Sequence, residues 1–389
     1  MSTPHWIWQH SDWPRFAWNA QAVAAPLRAC QLLQGQLLGM AAAESRELQA
    51  EDALDTLLSN IVTSSAIEGE RLDVGSVRSS LARRLGVAEE GRRRATARAE
   101  GLANLMLDAT RHADRPLDLG RLLQWHRWLF AADDDLLPNR IRVGDLRGSE
   151  PMQVVSGRID NPTVHFQAPP RERLEHQVDA FLQWFADSGN DGDIDPLLRA
   201  AIAHFWFVTL HPFDDGNGRL TRALTDLALA QAQPQVIRFH AMSASILADR
   251  AGYYRILEDS QKAGLDITAW LLWFLHTLHD SLSQALRRID RVLAKARFWQ
   301  RHRQHALLAE QIKVLNRMLD GGERGFEQGI SASQYQAVAK VSKATATRHL
   351  ADLVEKGCLR RLPGGSRNTR YAIDEVRSGI GDSLDDPVD

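Results

Sequence analysis

The sequence predicts a mainly α-helical protein with one small β-hairpin and a separate small module near its C-terminal end. Apolar residues recur at helical spacing through most of the chain. One stretch, at 151–170, instead holds β-prone runs separated by turn residues. Near residue 285 the sequence becomes basic and amphipathic, which indicates a connecting helix before a new module. With 389 residues, the chain is long enough for two or three domains.

Three segments of the chain show apolar stripes at helical spacing. The apolar stripes are Leu54, Leu57, Leu58, Ile61 and Val62, then Leu198, Ile202 and Phe205, and then Leu220, Leu224 and Leu227. The second and third stripes flank residues 211–216, so this stretch is predicted to be a loop between two helices. The later helix is predicted to begin near Asn217.

Within the helical body, one β-like region is predicted at 151–170, PMQVVSGRIDNPTVHFQAPP. Its runs MQVV and TVHFQ are separated by Gly157, Asn161 and Pro162, and two prolines end the segment. This pattern predicts a β-hairpin. Because an isolated hairpin is only marginally stable, we expect it to lean on the helices or on a ligand.

Composition sets limits on the class of protein. Apolar residues make up 44% and charged residues 25%, and the formal net charge is −2, so any nucleic-acid binding must come from a local patch. The only cysteines are Cys30 and Cys358, far apart in sequence, which excludes a disulfide framework and zinc clusters built from cysteines and fits a reducing compartment. The N-terminus lacks the pattern of a signal peptide, and the apolar run at 269–278 is too short to span a bilayer. We therefore expect a cytoplasmic protein without membrane contact.

The segment HPFDDGNGRLTR, His211 to Arg222, concentrates several chemically active residue types. Gly216 and Gly218 allow close backbone approach at the start of the second helix, where free N–H groups and the helix dipole favour an anion. Asn217 can add a side-chain donor. Arg219 and Arg222 are three residues apart and project from one face, which indicates more than one phosphate.

Two further residues of the segment suggest a reaction rather than binding alone. Asp215 is suited to Mg²⁺, which proteins hold through one or two carboxylates together with phosphate oxygens. His211 titrates near neutrality and is suited to take a proton from an attacking hydroxyl. Together these residues predict a site for in-line attack on a nucleotide phosphate.

The segment resembles the signature of the Fic (filamentation induced by cAMP) family, His-x-Phe-x-Asp/Glu-Gly-Asn-Gly-Arg-x-x-Arg, at every fixed position. This resemblance implies a helical core that transfers AMP from ATP to a hydroxyl side chain of a protein and releases pyrophosphate. It also implies that the hairpin at 151–170 is a flap that aligns the target by strand addition. The roles implied are general base for His211, Mg²⁺ ligand for Asp215, phosphate contacts for Gly216, Asn217, Gly218, Arg219 and Arg222, flap contacts to the nucleotide for Val154, Val155, Ser156 and Gly157, and the adenine side for Tyr253 and Tyr254.

The segment TSSAIEGE, at 63–70, contains Ser64-x-x-x-Glu68-Gly69. It resembles the inhibitory motif of this family, Ser/Thr-x-x-x-Glu-Gly/Asn, in the class that carries it on an N-terminal helix. A carboxylate delivered to Arg222 would occupy the arginine meant for the terminal phosphate and misalign ATP. We therefore predict that Glu68 restrains the transfer.

The C-terminal module reads as a helix at 333–338, a turn and a longer helix at 341–359, and two short strands around a tip at 364–368. This order predicts a winged helix-turn-helix, which serves either DNA binding or protein docking. The basic residues predicted to face DNA, within residues 340–370, are Lys340, Lys343, Arg348, His349, Arg360, Arg361, Arg367 and Arg370.

These observations divide the chain into predicted regions. They are an N-terminal helical region at 1–110 with the inhibitory motif, a Fic core at 111–282, a connector at 283–307, the winged helix-turn-helix at 308–375 and a disordered tail at 376–389. The leading hypothesis is an autoinhibited protein adenylyltransferase that also modifies itself, with a homodimer as a further expectation from relatives. The alternatives are a DNA-binding regulator whose core senses nucleotide, and a Fic enzyme that removes AMP or uses another donor.

Overall fold

A computed structural model describes residues 5–41, 46–88, 94–131, 141–158, 161–189, 192–237, 239–321, 326, 328–363 and 369–374. The chain forms two compact units, Met1–Leu286 and Arg287–Asp389. The tip at 364–368 and the tail at 376–389 lie outside the described residues, and the finer domain boundaries stay predictions.

The first unit is built from helices and one hairpin, which confirms the predicted fold class. Its helices are α1 (Ala20–Ala41), α2 (Arg46–Ile67), α3 (Val74–Leu85), α4 (Ala97–Arg111), α5 (Leu119–Leu129), α6 (Leu174–Asp187), α7 (Pro196–Leu210), α8 (Asn217–Ala232), α9 (Met242–Ala248), α10 (Arg250–Lys262) and the start of α11 (Thr268–His302). None of the helices in the described ranges is both long and apolar enough to cross a membrane.

Helices α7 and α8 form the centre of this unit. Every residue of α7 from Leu197 to Leu210 is buried, because the helix is apolar on all sides apart from a few paired polar groups. Asp195 caps its start by accepting a hydrogen bond from the Leu197 N–H at 2.8 Å, and Pro196 occupies the first turn. Helix α8 begins at Asn217, as predicted, and the loop between the two helices is thereby held deep in the unit.

The hairpin consists of β1 (Gln153–Arg158) and β2 (Asn161–Gln167), paired antiparallel as predicted. A register irregularity lies between Val154 and Val155. The N-terminal tryptophans support the hairpin: Trp6 stacks edge-on against Phe166, with ring centroids 5.4 Å apart, and Trp8 Nε1 donates to the Gln167 carbonyl at 2.7 Å. The hairpin therefore leans on the protein core, which confirms the expectation that it would not stand alone.

The second unit contains the end of α11, three further helices and a small sheet. These are α12 (Ala309–Asp320), β3 (Ile330–Ser331), α13 (Ala332–Ala339), α14 (Lys343–Glu355), β4 (Leu359–Arg361) and β5 (Arg370–Ile373), with strand order β3-β5-β4. Apolar side chains from all of these helices make one core around Val314, Leu315, Tyr335, Leu350 and Leu353. The order of elements agrees with the sequence analysis, while the winged helix-turn-helix assignment stays a prediction.

Candidate active site

A cavity of about 780 Å³ lies where the α7–α8 loop, the hairpin and α10 meet. The predicted site residues that line it are His211, Asp215, Gly216, Asn217, Gly218, Val154, Val155, Ser156, Tyr253, Tyr254 and Glu68. The other predicted site residues, all in the described part of the chain, are outside this lining: Ser64, Gly69, Gly157, Arg219 and Arg222. The structure thus brings most of the predicted residues together, and it places the two arginines behind other groups.

His211 ends α7 in a left-handed backbone conformation, with φ of +49° and ψ of 58°. Its Nδ1 lies 3.1 Å from the Val208 carbonyl oxygen, which can only accept a hydrogen bond. Nδ1 therefore carries the ring proton and Nε2 keeps its lone pair, the form that a general base needs. Burial lowers the pKa of His211, because it disfavours the charged imidazolium.

Two buried residues that the sequence analysis missed hold the loop in place. Arg147 donates from Nε to the His211 carbonyl at 2.9 Å and from Nη2 to the Pro169 carbonyl at 2.5 Å. His126 accepts from the Gly144 N–H at 2.8 Å, so its other ring nitrogen, 3.2 Å from the Asp215 carbonyl, donates there. No local spacing reveals such residues, because their partners are main-chain groups far away in sequence.

The side-chain amide of Asn217 has a structural role that the sequence analysis did not predict. Its side-chain oxygen accepts from the Phe213 N–H at 2.9 Å, and its side-chain nitrogen donates to the Phe213 carbonyl at 2.8 Å. The amide therefore closes the loop on itself, while the phosphate contact of Asn217 stays a prediction. Gly216 has φ of +81°, and a side chain there would meet Leu129, so the tight turn into α8 requires glycine.

The two aspartates of the loop differ in their surroundings. The Asp214 carboxylate already accepts two hydrogen bonds, from the backbone N–H groups of Arg142 and Gly148 at 3.0 and 3.2 Å. Asp215 lines the cavity with a half-exposed side chain, and one of its oxygens accepts from the Gly216 N–H at 2.5 Å. A cavity-facing carboxylate with free oxygen valence fits Mg²⁺, whose other ligands are phosphate oxygens and water.

Arg222 is 2% exposed and is held by the predicted inhibitory segment. Its Nε donates to Ser64 Oγ at 2.8 Å, and its Nη2 donates to the Ser64 carbonyl at 2.9 Å and to Glu68 Oε1 at 2.8 Å. Nη1 has no hydrogen-bond partner among the described residues. An arginine with one buried, unpaired N–H group is suited to a further anion.

The carboxylate of Glu68 rests on the start of α8. A methyl group at Gly218 would overlap Glu68 Oε1, so the absence of a side chain at 218 is what admits the carboxylate. No side chain caps this helix start at Gly216. Gly69, with φ of +79°, lets the chain turn directly after Glu68. An anion supplied by the chain itself therefore sits at the predicted anion site.

The ionisation of Glu68 follows from these contacts. Partial burial acts to raise the pKa of Glu68, but Arg222, Arg219 and the Tyr254 hydroxyl together lower it below its ordinary value. The carboxylate is thus ionised at neutral pH. Tyr254 contributes from 3.4 Å and is partly exposed.

A second glutamate, which the sequence analysis did not predict, forms an ion pair with Arg219. Glu70 Oε2 accepts from Arg219 Nη1 at 2.8 Å, and Glu70 also pairs with Arg98. The guanidinium of Arg219 additionally lies 5.2 Å from the Phe130 ring centre. Both arginines of the motif are therefore paired with carboxylates that follow α2.

The tyrosine pair on α10 divides into two roles. Tyr254 faces the cavity and the inhibitory segment. Tyr253 contributes to the lining, but it is 1% exposed and its hydroxyl is bonded to His204 Nε2 at 3.0 Å. Its hydroxyl is therefore committed to the core, and only its ring is available to the cavity.

The hairpin is tied to α10 by a short hydrogen-bonded chain. His165 Nε2 is 2.6 Å from Ser156 Oγ, and His165 Nδ1 is 2.7 Å from Glu258 Oε2. Lys262 donates to the other oxygen of Glu258 at 2.5 Å. His165 and Glu258 were not among the predicted residues, since neither lies in a recognisable motif.

The basic residues predicted to face DNA are only partly available. His349 is 8% exposed and bonds through Nδ1 to the Tyr335 hydroxyl at 3.1 Å, so its prediction as a DNA-facing group was wrong. Arg370 donates to the Gly329 carbonyl at 2.9 Å. Arg367 lies outside the described residues. The exposed members are Lys340, Lys343, Arg348, Arg360 and Arg361.

Comparison with known proteins agrees with this geometry. Residues 116–229 match the Fic/DOC family, and residues 6–87 match a domain of unknown function, DUF4172. Protein adenylyltransferase Fic of Nematostella vectensis is 34% identical over 130 residues, 33% of this chain and 28% of that protein. Protein adenylyltransferase fic-1 of Caenorhabditis elegans is 36% identical over 102 residues, 25% of this chain and 19% of that protein. The chain thus spans less than a third of these relatives.

Solved structures extend the likeness to the fold. A Fic family protein from Desulfovibrio desulfuricans superposes with a TM-score of 0.51 at 22% identity, over 93% of this chain and 97% of that one. A Fic domain containing signaling protein from Bacteroides thetaiotaomicron gives 0.50 at 20% identity, over 67% of this chain and 97% of that one. At this identity the likeness concerns the fold alone. The family match itself shows that residues 116–229 of this chain carry a Fic domain, and the fold likeness agrees with it.

Proposed function

We propose that this protein is an adenylyltransferase that moves AMP from ATP to a hydroxyl side chain of a protein, and that Glu68 restrains it. The names of the relatives over the Fic region support nucleotidyl transfer to a protein. The lining of the cavity supports it independently, because it combines a histidine base, a carboxylate and an uncapped helix start.

One observation carries the proposal: the Glu68 carboxylate occupies the start of α8 beside Gly218 and Arg222. A site that holds a carboxylate through a buried guanidinium beside the start of a helix is also suited to a phosphate. The same contact explains the restraint, since a phosphate tail and Glu68 compete for Arg222.

The proposed reaction uses groups at both ends of the loop. The target hydroxyl gives its proton to His211 Nε2 while its oxygen bonds to the α-phosphorus of ATP. The bond from that phosphorus to the oxygen bridging to the β-phosphate breaks, and pyrophosphate leaves. Arg219 and Arg222 hold the charge of the departing phosphates, and Arg147 keeps His211 in place through its carbonyl.

Asp215 is the proposed residue for Mg²⁺. When bound, the ion neutralises charge on the phosphate oxygens. Two groups orient the Asp215 carboxylate. The Gly216 N–H donates to Oδ1, and Nη2 of Arg219 lies 3.5 Å from the same oxygen.

The hairpin is the proposed docking element for the target. Its sheet has two strands, and Val155 on β1 is half exposed although it contributes to the cavity lining. An extended segment of a target can add to a strand edge through main-chain hydrogen bonds, which places its hydroxyl over the cavity with little demand on target sequence.

The experiment is incubation of full-length protein with α-labelled ATP, Mg²⁺ and lysate, followed by identification of labelled proteins. Glu68→Gly is expected to raise labelling, including self-labelling, and adding His211→Ala is expected to reduce it about 100-fold or more. Glu51→Gly, which changes an exposed glutamate within α2, is the control for loosening the helix that precedes Glu68. Equal labelling by wild type, Glu51→Gly and Glu68→Gly would refute the restraint, and loss of label from a pre-modified target would favour AMP removal.

A second candidate function, DNA binding, rests on the exposed face of α14. Lys343, Thr347 and Arg348 are exposed there, and Arg360 and Arg361 are exposed on the adjoining β4. A helix with exposed cations beside a basic strand fits phosphate contacts on a duplex.

This second function is tested by binding of the full-length chain to a DNA duplex at several salt concentrations. The double variant Lys343→Ala, Arg348→Ala is expected to weaken binding and to lower the slope of log affinity against log salt by about two. Lys313→Ala on α12 is the control of similar charge. Absence of a salt-dependent interaction at low ionic strength would leave docking as the role of the module.

A further inference from the structure

Three metal-ligating side chains meet in the second unit, away from the proposed active site. His302 ends α11, His305 lies in the turn that follows, and Cys358 directly precedes β4. One ring nitrogen of each histidine and the Cys358 sulfur all lie within 4.8 Å of one another. Neither the transfer reaction nor DNA binding uses these residues.

The spacing of the two imidazoles suits a shared ion. Their Nδ1 atoms are 3.2 Å apart. Two nitrogen ligands of a tetrahedral Zn²⁺ at about 2.0–2.1 Å are themselves separated by about 3.3 Å. The His305 N–H donates to the His302 carbonyl at 3.0 Å, so the turn itself keeps the two rings side by side.

Burial indicates that protein groups alone do not complete this cluster. His302 is 5% exposed, and the hydrogen-bond partner that its Nδ1 has among the described residues is the Nδ1 of the exposed His305. The Cys358 sulfur is buried, and its one hydrogen bond in the described region, to the Lys356 carbonyl, is long at 4.0 Å. Buried polar atoms of this kind usually have a partner, and an ion would supply one.

The donor set selects the class of metal. Two imidazole nitrogens and a thiolate suit a borderline-soft ion such as Zn²⁺ and not Mg²⁺ or Ca²⁺, which take oxygen ligands. His305 is exposed, which leaves a path for the ion and an open fourth position for water.

We propose that His302, His305 and Cys358 bind one Zn²⁺, with water as the fourth ligand. Binding displaces the thiol proton of Cys358 to solvent, and no oxidation or reduction is involved. The ion ties the end of α11 to the start of β4, across more than fifty residues of chain, and so stabilises the second unit.

The test is titration of chelator-treated, full-length protein with Co²⁺, whose thiolate complexes absorb in the near ultraviolet and whose tetrahedral sites absorb in the visible. Wild type is expected to bind one equivalent with both absorptions, and Zn²⁺ is expected to displace it. Cys30→Ser, which changes the only other cysteine of the chain, is expected to behave like wild type.

Variants of the proposed ligands show which side chains bind the ion. Cys358→Ser is expected to abolish the thiolate absorption, and His305→Ala is expected to weaken binding by about tenfold or more. Because His305 is exposed, its variant is expected to fold, so this result remains decisive if Cys358→Ser does not. Wild type without a thiolate absorption, an absorption retained in Cys358→Ser, or one lost in Cys30→Ser would each overturn the proposal.

Discussion

At the scale of single residues, His211 shows how strain and function coincide. A left-handed conformation is uncommon for a residue with a side chain, and it persists where surrounding groups enforce it. Here the enforcement comes from Arg147, which bonds the His211 carbonyl, and from Pro212, whose carbonyl accepts the Arg147 N–H at 2.9 Å. The imidazole is thereby directed into the cavity with a defined tautomer.

The burial of His211 gives the pH dependence of the proposed reaction. Because burial lowers its pKa below the ordinary 6.5, the base form is already dominant at neutral pH. The rate of Glu68→Gly labelling is expected to rise with pH through a midpoint below 6.5 and to be level above it. Initial rates between about pH 5 and about pH 9 measure this. A midpoint clearly above neutrality would contradict the assignment of His211 as the base.

Asp226, on α8, makes a separate prediction about stability. It is 2% exposed, and burial raises its pKa from 3.8 to about 8. The folded state therefore keeps a proton that the unfolded state loses above about 3.8, so stability declines as pH rises from about 4 to about 8.

The isosteric change Asp226→Asn removes this ionisation. We expect it to raise the unfolding temperature at pH 8 by about 2–4 °C or more, corresponding to at least about 1 kcal/mol, and to change it less at pH 4. Thermal unfolding at both pH values measures the difference. An equal effect at the two values would show that Asp226 does not titrate in the folded state over this range.

At the scale of elements, the segment that follows α2 holds the site at two points. Glu68 pairs with Arg222, and Glu70 pairs with Arg219 at 2.8 Å. Removal of Glu68 alone leaves Arg219 engaged. The proposed inhibition is therefore expected to be relieved in two steps, first by freeing Arg222 from Glu68 and then by freeing Arg219 from Glu70.

We expect Glu70→Gln to raise labelling further when it is added to Glu68→Gly. The rise is about fivefold, corresponding to about 1 kcal/mol, the upper range for a partly exposed ion pair. Asp55→Asn removes a surface pair of α2 with Arg78 and is the control. The measurement is the labelling rate of Glu68→Gly with and without Glu70→Gln. A lower rate in the double variant would contradict the prediction and would mean that Glu70 holds Arg219 in a productive position.

The hairpin is the second element whose placement affects the reaction. His165→Ala removes the link between β2 and Glu258 on α10, and it is expected to raise the KM for a protein target about fivefold, the effect of losing one hydrogen bond of about 1 kcal/mol. Thr163→Ala, an exposed neighbour on the same strand, is the control. Glu258→Ala is expected to match His165→Ala without adding to it, and additive effects would contradict a shared role.

These elements also show what the sequence alone could predict. The helices around residues 211–216 and the hairpin were predictable, because local apolar spacing and turn residues specify them. Arg147, Glu70 and the His165–Glu258 link were not, because each depends on elements that meet only in the folded chain. His349 was misassigned for the same reason, because its ring is buried and bonded to the Tyr335 hydroxyl, a contact that sequence spacing does not reveal.

At the scale of the whole molecule, the two units divide the proposed functions. All residues that line the cavity, from Glu68 to Gln261, belong to the first unit, which has its own core. The metal cluster and the basic face of α14 belong to the second. A unit with its own core and its own complete site is expected to act alone.

A chain ending at Asp290, which keeps the buried Ile289 of α11, tests this division. With Glu68→Gly, it is expected to label itself at a rate similar to that of the full-length variant, because no catalytic group has been removed. The same truncation with His211→Ala is the control for background label. Circular dichroism and thermal unfolding establish that the shortened chain is folded. A folded, cooperative chain without labelling would mean that the second unit contributes to the reaction, by completing the site or by presenting the acceptor hydroxyl.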